Sequence, residues 1–178
     1  VKVSKSPGST AAGVRQVMHH VTVAGKKDLL RHLIDRHRMA SAIVFVRTKD
    51  GADKIAKFLE HTGVSVGALH SNKTQAARLS ILEGFKYARI RVLVATDIAA
   101  RGLDIPQVSH VINFDVPHSP EDYVHRIGRT GRAGEKGDAI TLATPQERYQ
   151  ISGIERLSGL PIPAEQVPGY TIPGMGEA

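Results

Sequence analysis

A chain of 178 residues with 41% apolar side chains can bury a core of its own, and its length fits one compact domain. Its formal charge of +7 makes polyanions the natural partners, without separating RNA, DNA, nucleotide and acidic lipid. The lack of cysteine excludes disulfides, thiolate metal sites and a cysteine nucleophile, and no apolar run approaches the roughly 18–20 residues of a membrane span.

The first residues, VKVSKSPGSTAAG, lack the apolar segment of a secretory signal, so residues 1–14 read as a linker. RQVMHHVTV (15–23) reads as a strand. In KKDLLRHLIDRH (26–37), Leu29, Leu30, Leu33 and Ile34 keep helical spacing. AIVFV (42–46) is a continuous β-branched and aromatic run, the pattern of a strand covered on both faces. A helix follows from about Lys49 to Glu60, with Thr48 as its N-cap and Ala52, Ile55, Ala56 and Leu59 as its apolar stripe. The alternation continues with VGALH (66–70) and a helix through Leu79, Leu82 and Phe85, then RVLVA (91–95), a loop and a short turn. HVINF (110–114) with a helix and DAITLA (138–143) with a last helix complete it. Strands alternating with helices predict an α/β fold, a parallel sheet of about six strands with right-handed crossovers and helices on both faces. After Gly159 the prolines and weak periodicity predict an extended or mobile tail, with its boundary at residues 161–178.

In a parallel sheet, ligand sites collect at the carboxyl ends of the strands. Here four strands run into Arg47-Thr48-Lys49, SNKTQAAR, TDIAARGLD and DVPHSPEDYVHRIGRTGR, a polar and basic row suited to anions. Ser119 as N-cap, Pro120 at the first helical position and Glu121 and Asp122 in the first turn mark a helix start. Along that helix His125, Arg129 and Arg132 are spaced to share one face, while Arg126 points about 100° away. Two guanidiniums on one face suit a polyphosphate, because their planar forks match its oxygens. Gly128 and Gly131 leave room for a phosphate or a facing domain to come close. A solvated basic helix end fits the same spacing. In ATDIAARGLDI (95–105), Thr96 and Arg101 can hold backbone phosphates, Gly102 allows close approach, and Asp104 can accept from ribose hydroxyls; equally, Asp97 can cap the turn and Asp104 can pair with Arg101.

VATDIAARGLDI (94–105) and YVHRIGRTGR (123–132) resemble motifs V and VI of the DEAD-box RNA helicases, in the family's order and separation. AIVFVRTKDGA resembles motif IV, ALHSNKTQAAR resembles motif IVa, and VINFDVP resembles the strand between motifs V and VI. The resemblance covers about residues 15–160 and is strongest to the bacterial RhlE-like branch. It implies a RecA-like helicase C-terminal domain, cytoplasmic and monomeric as an isolated piece, acting on RNA by shape and phosphate, with no base code. It further implies that Arg129 and Arg132 are arginine fingers toward the γ-phosphate of ATP, with His125 linking across the cleft to a first domain. Arg126 would brace motif V, where Asp97 lies, and Gly102 and Asp104 would lie on the nucleotide side. Thr48, Gln75, Arg78, Thr96 and Arg101 would lie near the RNA backbone.

No G-x-x-x-x-G-K-S/T and no Asp-Glu-Ala-Asp occurs in the chain. The resemblance therefore implies that ATP with Mg²⁺ is held mainly by an amino-terminal RecA-like domain, the expected partner beside RNA. The nine histidines show no metal-ligand spacing, and adjacent His19 and His20 on a strand point opposite ways, so no metal site is expected. A non-catalytic RNA clamp and a DNA-directed relative are the competing functional readings.

Overall fold

The computed structural model describes residues 13–131 and 136–171 of the chain. Six strands and six helices alternate along it: β1 (Val14–His20), α1 (Lys26–Arg36), β2 (Ala42–Phe45), α2 (Lys49–His61), β3 (Val66–Leu69), α3 (Gln75–Lys86), β4 (Val92–Ala95), α4 (Asp97–Ala100), β5 (His110–Asn113), α5 (Pro120–Ile127), β6 (Gly137–Ala143) and α6 (Arg148–Ser158). A 3₁₀ turn, Pro145–Glu147, precedes α6. The strands form one sheet in the order β1-β6-β5-β2-β4-β3, and every pair is parallel. This is the α/β architecture that the alternation predicts.

Strand order and crossover handedness together distribute the helices. The chain moves toward the β3 edge through α1 and α2 and away from it through α3, α4 and α5, so right-handed crossovers put these two sets on opposite faces. The side chains follow: Val44, Val92 and Val94 pack with the Leu and Ile stripes of α1 and α2, while Ile43, Phe45, Leu93 and Ala95 pack with α3 and α4. A third cluster joins Tyr123 and Ile127 of α5 to Ile151 and Ile154 of α6 over β1 and β6. Leu29, Leu30, Leu33 and Ile34 are all 0% exposed, each burial worth about 1.5–3 kcal/mol.

Helix starts match the capping chemistry of the sequence. Thr48, Thr74, Thr96 and Ser119 each accept a hydrogen bond from the backbone N–H three residues on. One stripe differs from expectation: Leu79 is 56% exposed, while α3 turns Gly84 and Phe85 inward. Helix α3 covers the edge strand β3, so its contact face is narrow, and glycines set the approach. A Cβ on Gly67 would stand 2.9 Å from Ile81 Cγ2. The segment after Gly159 runs along β1 as extended backbone. Met18 N–H donates to Pro163 O at 2.8 Å, Glu165 N–H donates to Met18 O at 2.9 Å, and Ile162 and Val167 are buried. Among the described residues no helix is long and apolar enough to cross a membrane.

Candidate functional site: an arginine-braced cleft and a polar sheet edge

Arg126 organises the carboxyl side of the sheet. It is 2% exposed, and its side chain leans back toward the start of α5, as helical side chains do, so the guanidinium reaches the ends of the neighbouring strands. Nε and Nη2 donate to the two carboxylate oxygens of Asp97 at 2.7 and 2.8 Å. Nη1 donates to Asn113 Oδ1 at 3.2 Å and to Asp115 O at 2.6 Å, and the guanidinium lies 5.1 Å from the Phe45 ring centroid. One planar fork thus ties the start of α4, the ends of β2 and β5, and the body of α5 into a single unit.

Over this brace lies a shallow depression lined by Asp97, Ala100, Arg101, Asp122, His125 and Arg129. Arg101 is exposed and pairs with Asp122 at 2.6 Å, so the alternative pairing with Asp104 does not form. His125 is exposed, and Arg129 is half-buried with its Nη2 donating to Ala100 O at 3.1 Å. The shared helical face expected of His125 and Arg129 does not form, because α5 ends at Ile127 and Gly128 caps it. A turn, in place of a further helical turn, brings Arg129 beside His125. Arg132 lies outside the described residues. The room expected at Gly131 is taken up by the fold itself: with φ at +75°, its Cβ would fall 2.4 Å from Val14 Cγ2.

Past α4, Gly102 and Asp104 are exposed. Gly102 has φ +75° and open space where a Cβ would stand, so this loop presents bare backbone to whatever faces it. The remaining candidates sit along the carboxyl edge. Thr48 and Gln75 are exposed at the starts of α2 and α3, and Arg78 lies half-buried one turn into α3. Thr96 differs from them: it is 7% exposed and its hydroxyl caps α4. The structure therefore gathers Asp97, Arg101, His125, Arg126 and Arg129 at one depression and spreads Thr48, Gln75 and Arg78 along the adjoining edge.

Sequence reading missed a buried ion network behind that edge. Lys26 is 4% exposed; its ammonium donates to Phe114 O and lies 3.2 Å from Glu147 and 3.5 Å from Asp115. Glu147 also accepts from Val116 N–H at 2.9 Å and Thr144 N–H at 3.0 Å, and lies 3.3 Å from Arg47 Nη2. Arg47 N–H donates to Asp115 at 2.8 Å. Burial pushes the Glu147 carboxyl up, but the Thr144 N–H, the Lys26 ammonium and the Val116 N–H outweigh it and hold the pKa below the ordinary range. The signal was present in Thr144-Pro145-x-Glu147, a capping box, which the structure forms. Nothing in the local sequence says that Lys26, over a hundred residues away, completes it.

The profile of the helicase conserved C-terminal domain matches residues 25–134. Among curated relatives, the DEAD-box ATP-dependent RNA helicase CshA of Bacillus cereus (strain ATCC 10987) is 48% identical over 152 residues, which is 85% of this chain and 29% of that protein. CshA of Geobacillus kaustophilus is 49% identical over 156 residues, 88% of this chain and 33% of that protein. The chain thus spans about a third of the length of the curated relatives it matches. These relatives support the DEAD-box family and leave the RhlE-like branch expected above unconfirmed. Among solved structures, E. coli DEAD-box protein SrmB, bound to regulator of ribonuclease activity A, superposes with TM-score 0.84 at 36% identity, covering 92% of this chain and 99% of that one. The C-terminal domain of the DEAD-box protein Dbp5 gives TM-score 0.78 at 35% identity, covering 83% and 86%. S. cerevisiae Dbp5 bound to RNA and ADP BeF3 gives 0.80 at 34%, covering 88% and 42%.

Proposed function

Because the chain belongs to the helicase conserved C-terminal domain family, on its DEAD-box side, we propose that it works as the second RecA-like domain of an ATP-dependent RNA helicase. In this reading it supplies arginine fingers to ATP held by a first domain, and part of the surface that grips the RNA backbone for local duplex unwinding. The observation that carries it is the Arg126–Asp97 brace, which sets Arg129 and His125 on one half-exposed wall of the α4–α5 face.

The residues present fit one wall of a nucleotide site. Arg129 is placed to offset charge building on phosphate oxygens, with Arg132 as its expected second, and His125 to bond across the cleft. Asp104 and the bare backbone at Gly102 suit a ribose and its phosphates. When bound, ATP with Mg²⁺ supplies the phosphoryl group and a Lewis acid. Among the described residues no three His, Asp or Glu side chains converge on one point, so in this reading the metal rests on the other domain. Thr48, Gln75, Arg78 and Arg101 offer hydroxyl, amide and guanidinium donors to a phosphate backbone without reading bases. For Arg101 this requires sharing its fork with Asp122. Thr96, capping α4, contributes by holding the loop that carries Arg101.

In the two-domain protein, Arg129→Ala should lower kcat for ATP by about 10³-fold, the scale of a lost arginine finger, and leave RNA affinity nearly unchanged. Arg129→Lys should not restore it, because an ammonium does not reproduce the planar fork. Loss of RNA binding with ATP turnover intact would assign this face to RNA and end the finger reading. The isolated chain should hydrolyse no ATP, measured as phosphate release with and without RNA.

A further inference from the structure

We propose that the RNA track extends across the sheet edge to the β6 side, where Tyr149 and Arg148 form a stacking platform for a single-stranded segment flanking the gripped backbone. The inference rests on the RNA reading above and enlarges its footprint. Tyr149 is 90% exposed, the most exposed large apolar side chain among the described residues, at the start of α6. Pro145, Gln146, Arg148 and Ser152 line an open groove with it. Arg148 forms no ion pair among the described residues, and the neighbouring carboxylate of Glu147 faces inward to Lys26 and Arg47. The groove therefore offers a bare aromatic face beside an uncompensated guanidinium, the pair of groups on which bases stack and phosphates rest without sequence preference.

Its position ties it to RNA in preference to another polyanion. Glu147 lies 3.3 Å from the guanidinium of Arg47, which directly precedes Thr48, so the platform and the proposed backbone contacts are joined through one buried carboxylate. In the sheet only β5 separates β6 from β2, and strands lie about 4.8 Å apart, so the step from Thr48 to the platform is on the order of 10 Å, one or two nucleotides. A longer single strand reaches both; a short one reaches only the Thr48, Gln75 and Arg78 side.

The test is RNA binding by this chain, read as fluorescence anisotropy with labelled oligouridylates of three and twelve nucleotides. Tyr149→Ala should weaken binding of the twelve-mer by about tenfold and leave the trimer unchanged, while Tyr149→Phe, which keeps the ring, should bind both normally. Arg78→Ala should weaken both lengths. The exposure of Tyr149 leaves it little part in folding, and an unchanged melting temperature checks that. If Tyr149→Ala leaves both lengths unaffected while Arg78→Ala weakens both, the platform is overturned and the RNA reading stands. If neither substitution matters, both fall. Loss of the trimer on Tyr149→Ala would also overturn the proposed path, since it would place the primary grip at α6.

Discussion

Arg126 shows how much one side chain decides. The sequence separates it from His125 and Arg129 by its angular position, and the structure buries it against Asp97, Asn113 and the carbonyl of Asp115. Removing it leaves the Asp97 carboxylate, 24% exposed, beside two orphaned acceptors. Breaking a buried pair costs about 3–5 kcal/mol, and the partial exposure of Asp97 points to the lower end. Urea unfolding of Arg126→Ala should show that loss. Arg126→Lys should recover only a fraction, since one ammonium cannot serve four acceptors spread across a plane. A variant as stable as the parent would mean that the brace does not hold α4 and α5 together. Arg129 illustrates the opposite case. Its helical spacing from His125 suggests a shared face, yet Gly128 ends the helix, and after the turn that follows the two line one depression.

Among the elements, the two ends of the sheet differ in chemistry. At the amino end, His110 of β5 stacks edge-on against His37 at the end of α1, with ring centroids 5.6 Å apart. Burial holds the His110 imidazole below its ordinary 6.5, opposed by Asp138 of β6 and reinforced by His37. Burial likewise lowers His37, opposed by Asp138 and reinforced by Arg36, His19 and Arg15. A folded-state pKa below the unfolded one means that the unfolded chain binds the proton more readily. The stability these groups contribute is therefore present above pH 6.5 and is lost as pH falls through their folded values. Thermal unfolding between pH 7.5 and 5 should show this decline, and His110→Asn should flatten it. At the carboxyl end Glu147 has the same sign in a lower window. Its contribution is present above the ordinary 4.5 and is lost on further acidification, so Glu147→Gln should alter the pH 5 to 3 limb and leave the neutral one alone. A pH profile unchanged by either substitution would refute both placements.

At the scale of the molecule, the segment after Gly159 belongs to the packing of β1. Ile162 and Val167 are 5% and 4% exposed, two backbone hydrogen bonds join Met18, and Tyr170 stacks on His32 with centroids 4.2 Å apart. Strand β1 lies at the sheet edge, and this segment supplies the partner that an edge otherwise lacks. A chain ending at Gly159 should lose about 3–6 kcal/mol from the two buried side chains alone, seen as a lower denaturant midpoint. An unchanged midpoint would show that the segment rests on the domain without supporting it.

Much of this was legible because it is local. Continuous β-branched runs, helical Leu and Ile spacing, Thr and Ser caps, and Pro120 after Ser119 specify element type and start through chemistry within a few residues. The strict strand and helix alternation then leaves few topologies besides a parallel sheet. The resemblance to motifs V and VI likewise implied that Arg126 braces the segment where Asp97 lies, and the two side chains pair. Other features depended on partners far away in the chain. The strand order, the capture of Lys26 by Glu147, the docking of residues 160–171 on β1 and the exposure of Leu79 each rest on contacts that no local window contains. Whether a charge or an apolar side chain is buried depends on what packs over it, and that was decided only when the sheet had closed around its two layers of helices.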